Sequence, residues 1–144
     1  NGVTLWVTGT SAPCTSVFKP VWFDSGLPGV EIPPTAEFDT NHRWWHHEVL
    51  HRAMLIAPDK SLALLQPRQR KTEAKFLEQA RSVQDIADST DQRQQITENC
   101  FSEAEALTNK WTELVQKMPP EKPRGLLYRK AWEKRNVKVS FPTK

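Results

Sequence analysis

Val3-Thr4-Leu5-Trp6-Val7-Thr8 and Thr15-Ser16-Val17-Phe18-Lys19-Pro20-Val21-Trp22-Phe23 are the two stretches on which the fold class turns. In the first, apolar and polar residues nearly alternate and β-branched residues are enriched, which predicts a strand. The second predicts another strand, so that the two form a hairpin closed by a wide loop over Gly9 to Pro13. Pro20 has no N–H to give to a ladder, which puts the second strand at a sheet edge or gives it a bulge there. Its end is apolar on both faces, which asks for packing on each side. Two strands are too few for an independent sheet of ordinary size. The reading is therefore of two strands from a larger sheet, the C-terminal part of something longer, and the alternative is a self-sufficient domain that buries these strands on its own helices.

Everything downstream predicts helix. Gly26, Pro28, Gly29, Pro33 and Pro34 make residues 24–38 an irregular connection. From about Thr40 to Ile56, Trp45, Val49, Ala53 and Ile56 recur at helical spacing with Leu50 and Met54 beside them, and Asp39, Thr40 or Asn41 is placed to cap the start. Pro58 ends that helix. Asp59 can cap a short one through Leu65, which Pro67 breaks. A further helix runs from about Arg68 to Ala87 with Phe76, Leu77, Ala80, Val83 and Ala87 on its apolar side. After a turn at Asp88 to Asp91 comes the longest helix, about Gln92 to Met118. Its seam of Ile96, Cys100, Ala104, Leu107, Trp111, Leu114 and Met118 predicts an antiparallel αα-hairpin with the helix before it. Pro119 and Pro120 end it, and a short helix from Leu126 to Arg135 precedes an extended end around Val137 to Phe141. The fold class is thus α+β. Residues 1–38 hold the strands and connection, and residues 39–144 form a helical C-terminal region.

Composition narrows the function classes. The 144 residues are 38% hydrophobic and 26% charged, ordinary for a globular chain, and no run of apolar residues is long enough to span a bilayer. No membrane partner is expected, and a cytoplasmic location is favoured. Cys14 and Cys100 are too few for a disulfide framework, and reduced thiols are expected. Net charge is +3, but residues 117–144 carry nine Lys or Arg against two Glu, which leaves the first 116 residues at −4. Such a tail can bind nucleic acid. No nucleic-acid motif accompanies it, and Tyr128 and Trp132 stand at helix-face spacing, so no nucleic-acid partner is expected.

One pattern carries the look of chemistry. His47-Glu48-Val49-Leu50-His51 matches H-E-x-x-H, in which two histidines one turn apart share zinc and the glutamate is general base to the metal-bound water. A third ligand is needed, and only Glu73 or Glu78 on a following helix offers itself, each equally suited to a solvated face. The expectation is a packing helix with no metal and no other cofactor, and a zinc metalloprotease on His47, Glu48 and His51 stands as the alternative. Cys14 beside Thr15 and Ser16 is a loop thiol among hydroxyls, compatible with a nucleophile or with a small structural residue.

Thr8-Gly9-Thr10-Ser11-Ala12-Pro13-Cys14-Thr15-Ser16-Val17-Phe18-Lys19-Pro20 resembles a late-chain segment of the secernins, members of the dipeptidase-like family of N-terminal-nucleophile cysteine hydrolases. Trp44-Trp45-His46-His47-Glu48-Val49-Leu50-His51-Arg52 resembles the stretch that follows it in bacterial relatives, and Leu127-Tyr128-Arg129-Lys130-Ala131-Trp132-Glu133-Lys134-Arg135-Asn136 resembles the end of those proteins. The resemblance implies the C-terminal third of such an enzyme, with residues 3–23 as late strands of a four-layer αββα sandwich. It implies a small peptide or related amide as substrate, and the N-terminal remainder of the parent enzyme as partner. The family's nucleophile is a cysteine freed at the mature N-terminus. Asn1, Cys14 and Cys100 do not match that role, so no catalytic residue carries over, and this chain by itself is expected to be inactive. Cys14, Thr15 and Ser16 are the candidates for the vicinity of the substrate. A third reading, outside the enzymes, is a helical interaction module built on the seam and the basic tail.

Overall fold

The computed structural model describes residues 3–8, 10–28, 34–119 and 125–141. Gly9, Gly29, Pro33 and Pro120, named above as turn and helix-stop residues, lie outside the described residues, as do Asn1 and the basic residues Lys122, Arg124 and Lys144. The chain is α+β and mostly helical: β1 (Thr4–Val7), a 3-10 turn (Pro13–Thr15), β2 (Lys19–Trp22), α1 (Arg43–Met54), α2 (Pro58–Ser82), α3 (Thr90–Gln116) and α4 (Leu126–Lys138). No described helix is long and apolar enough to cross a membrane.

β1 and β2 pair antiparallel, with Thr4 opposite Trp22, Leu5 opposite Val21, Trp6 opposite Pro20 and Val7 opposite Lys19. Opposed residues share a face. Trp6 and Trp22 accordingly pack together against Ala80, Val83 and Ile96 of the helical layer. All four residues of β2 are buried. The second strand is shorter than the predicted span 15–23, because Pro13–Thr15 winds into a 3-10 turn closed by Thr15 N–H to the Ala12 carbonyl.

Pro20 does sit at an edge. On the side of β2 away from β1, helix side chains replace a third strand. Gln69 donates to the Ser16 carbonyl, Glu73 accepts from the Phe18 N–H, and Thr97 donates to the Pro20 carbonyl. Buried backbone groups need partners, and Pro20 brings one donor fewer to satisfy. Because the Pro20 groups point at α3, those of its neighbour Trp6 point away from β2, leaving the outer edge of β1 without a strand partner among the described residues.

The helices depart from the sequence reading at several points. His42, not Asp39, Thr40 or Asn41, caps α1: its Nδ1 accepts from the Trp44 N–H, while Asp39 turns back on the Asn41 N–H. The helix ends at Met54, and Ile56 is exposed. Pro67 breaks nothing. It lies within the 25-residue α2 on an exposed face with Ala63, whose carbonyl Pro67 has no N–H to bond. An interior proline costs about 3 kcal/mol or more. Burial of Leu65, Thr72, Phe76 and Ala80 on the opposite face offsets that cost. The helix stops at Ser82 rather than Ala87, and Asp88, in the left-handed region at φ 55°, turns the chain into α3. Leu77 and Ala87, expected on the packed side, are exposed.

Along α3 the buried residues are Arg93, Thr97, Cys100, Ala104, Leu107, Trp111 and Val115. Val115 replaces the expected Leu114, which is exposed, because a straight helix drifts off a strict heptad. Cys100, Ala104, Leu107, Trp111 and Val115 join Val17, Leu50, Met54, Leu65 and Phe76 in the main core, while Arg93 pairs with Asp24 and Thr97 bonds the Pro20 carbonyl.

The extended end expected at Val137 to Phe141 is instead the last turn of α4 and its cap. Phe141 N–H bonds the Asn136 carbonyl, Ser140 N–H bonds that of Val137, and Ser140 takes the left-handed conformation at φ 53°. This is the Schellman pattern, here without glycine. Tertiary contacts hold it: Phe38 donates its N–H to the Val139 carbonyl, and the Phe38 and Phe141 rings meet at 5.1 Å.

Candidate functional site

The two histidines of the H-E-x-x-H segment point to different partners. His47 is 2% exposed and reaches back to the loop between the strands. Ser11 Oγ lies 3.4 Å from its Nδ1, and Thr15 Oγ1 lies 3.3 Å from its Nε2. Thr15 spends its own proton on the Ala12 carbonyl at 2.9 Å, so it accepts from Nε2–H, and Nδ1 is left as an acceptor beside Ser11 Oγ, whose single hydroxyl proton is shared between this nitrogen and the Glu48 carboxylate. Burial, above all, pushes the His47 pKa down to about 4, against the pull of a hydrogen bond to the Thr15 backbone. The ring is a neutral bolt between α1 and the 3-10 turn.

Glu48 is held elsewhere. Its carboxylate accepts from Arg52 Nε at 2.7 Å and from His51 Nδ1 at 3.1 Å. Burial alone would raise its pKa, but the hydrogen bonds from His51, Ser11 and Arg52, with the Arg52 charge, overcome it and hold the group at about 2. Arg52 also bonds Asn136 of α4 and lies over the rings of Trp132 and Phe141. The segment thus works as a clasp: His47 fastens the strand loop, and Glu48 with Arg52 fastens the C-terminal helix. Among the described residues, no group of three or more His, Cys, Asp or Glu is gathered that could hold a metal ion. Glu73, one of the candidate third ligands, bonds the Phe18 N–H, and Glu78 pairs with Arg81 on an exposed face.

Beside His47 opens a cavity of about 240 Å³ between the end of β1, the strand loop, α1 and α3. Its walls include Thr10, Lys19, Arg43, His46, Phe101 and Glu105. Lys19 is 4% exposed; its Nζ donates to the Thr8 and Val17 carbonyls at 3.0 and 2.8 Å and sits 5.2 Å from the centre of the Phe101 ring. Arg43 Nε pairs with Glu105 at 3.3 Å, and His46 Nδ1 stands 3.5 Å from the same carboxylate. His46 Nε2 donates to the Thr40 carbonyl.

Of the three loop residues expected near a substrate, Ser16 lines this cavity, Thr15 is buried against His47, and Cys14 is exposed on the 3-10 turn. Cys100 is buried, and burial, with the Glu103 charge, raises its pKa to about 12. The sequence reading passed over Lys19, Arg43 and Glu105. For Lys19 a signal existed: a lysine inside an otherwise apolar strand is costly to bury without acceptors. No protein-family model, curated protein or solved structure matches the chain.

Proposed function

We propose that this chain is the C-terminal portion of a secernin-like amide hydrolase. On this reading it completes the fold and one wall of the substrate site, while the cysteine nucleophile lies in the N-terminal remainder. The observation that carries it is the meeting of two resembling stretches, 8–20 and 44–52, at one residue: His47 takes Ser11 on one ring nitrogen and Thr15 on the other. Patterns matched separately in sequence are one unit of structure, and the third resembling stretch joins them through Asn136 and Arg52.

On this reading further strands of an αββα sandwich add at the open edge of β1. Val3, just before β1, and Phe23, just after β2, are 64% and 81% exposed, and Leu5 of β1 is also exposed. Such surface is costly on a finished sheet. The same reading includes α2 and α3 as an antiparallel hairpin on the sandwich's flank. Small peptides are the substrate class, with Cys14, Thr15 and Ser16 on the substrate side.

The test compares this chain with the polypeptide that includes the coding sequence upstream of Asn1, on a panel of dipeptides. No turnover by the chain alone is expected, and turnover by the longer protein that a Cys→Ala change at its processed N-terminus abolishes. Turnover by the purified chain above a buffer blank, or an upstream sequence with no cysteine-led block, would refute the proposal.

A further inference from the structure

α4 meets the rest of the chain along one side. Trp132, Asn136 and Val139 fall on that side and are half-buried, and Arg52 of α1 holds the first two. The opposite side presents Leu127, Lys130, Ala131, Lys134, Val137 and Lys138, all of them exposed. The three lysines stand four residues apart, so they form one row about 12 Å long. Among the described residues no hydrogen bond or ion pair holds any of the three. Glu133, at the margin of this face, is the only acid of Leu126–Lys138 against five Lys or Arg.

The same face is also apolar. Leu127 and Val137 are 84% and 77% exposed, and at 100° per residue they lie among the lysines rather than on a separate side. A nucleic-acid backbone would answer the charge and leave both aliphatic side chains in water. Base stacking needs an aromatic ring on this face, and Trp132 instead lies on the inner side beneath Arg52 and Arg135. An anionic lipid surface answers both features. Its headgroups attract the ammonium groups, the lysine stems lie along apolar surface, and the acyl boundary takes the aliphatic side chains.

We propose that the outer face of α4 docks on an anionic phospholipid surface. Lys130, Lys134 and Lys138 sit among the headgroups, Leu127 and Val137 reach the acyl boundary, and Arg52 ties the helix to the rest of the chain. No described helix crosses a membrane, but lying on one needs only a face. The absence of a membrane partner expected from composition is revised to that extent. The docking rests on residues of this chain and stands whether or not it belongs to a larger hydrolase.

The test sediments the full chain with vesicles of phosphatidylcholine alone and with vesicles containing about one-third phosphatidylserine. Each lysine near such a surface contributes about fivefold in affinity, so the mixed vesicles should bind about a hundredfold tighter than the neutral ones. Added salt should shrink the difference. Lys130→Gln, Lys134→Gln and Lys138→Gln together should remove most of it. Leu127→Gln with Val137→Gln should weaken binding several-fold. Arg68→Gln, Arg70→Gln and Lys71→Gln, which take the same charge from an exposed side of α2, should cost far less. All these positions are exposed, so the fold is not at stake, and circular dichroism checks that. The proposal is overturned by no binding to the mixed vesicles or equal binding to both kinds, by unchanged binding in the α4 lysine variant, or by an equal loss in the α2 variant. Tighter binding of duplex DNA than of mixed vesicles at equal phosphate concentration would overturn it in favour of a nucleic-acid partner. Unchanged binding in the Leu127 and Val137 variant would overturn the insertion of those side chains.

Discussion

Lowering the pH from about 7 to about 5 should remove about 2 kcal/mol of stability through His47 alone. The ring is buried between Ser11 and Thr15, and burial lowers its pKa from 6.5 to about 4. Between those values the unfolded chain holds a proton that the folded chain refuses. The stability His47 contributes is therefore whole above pH 6.5 and is lost as pH falls toward 4. Each pH unit with one proton's difference is worth about 1.4 kcal/mol, and pH 5 lies roughly one and a half units below the unfolded value. Glu48 acts in a lower window. Its pKa falls from 4.5 to about 2, so its contribution is present above 4.5 and is lost as pH falls through 2. Urea unfolding at a series of pH values, for the natural chain and for His47→Gln, measures both steps. The variant should show a flatter profile above pH 5, while the step below 4.5 persists. Parallel profiles for the two proteins between pH 7 and 5 would refute the account of His47 as a neutral buried bolt.

Arg52→Met should cost about 3 kcal/mol, the low end for a broken buried pair, because His51 and Ser11 still donate to Glu48. Amide exchange should rise across Leu126–Lys138, and unchanged protection there would sink the idea of a clasp. Trp111→Ala should cost about 3–5 kcal/mol, since the ring is 3% exposed in the main core, and a loss under about 1 kcal/mol by urea melt would contradict that placement. A thiol reagent on the folded chain should modify one cysteine quickly. Cys14 is exposed, and Cys100 is buried with its pKa raised to about 12; peptide mapping that found Cys100 labelled first would overturn this. Elemental analysis should find no stoichiometric zinc, since His47 is committed to the strand loop and Glu48 to Arg52. About one zinc per chain, lost in both His47→Ala and His51→Ala, would restore the metalloprotease reading.

Periodicity and punctuation were enough for the existence and type of most elements. Alternation marked β1, Pro20 marked the edge of β2, and the recurrence of Cys100, Ala104, Leu107 and Trp111 marked α3. These signals are local: a side chain's face follows from helix or strand period alone. Tertiary structure decided whatever depended on a distant partner. Pro67 stays in a helix because the far face of α2 is buried while its own side meets water. Val137 and Lys138 stay helical because Phe141 folds back onto Phe38. His42 caps α1 where three ordinary capping residues precede it. The sharpest case is His47. Its spacing to His51 is fixed by one helical turn and reads as a metal pair in sequence. Only the placement of Ser11 and Thr15 against one nitrogen each, and of Arg52 against Glu48, turned the same residues into a hydrogen-bonded clasp. A five-residue pattern sets which side chains share a helix face, and the fold sets what stands opposite them.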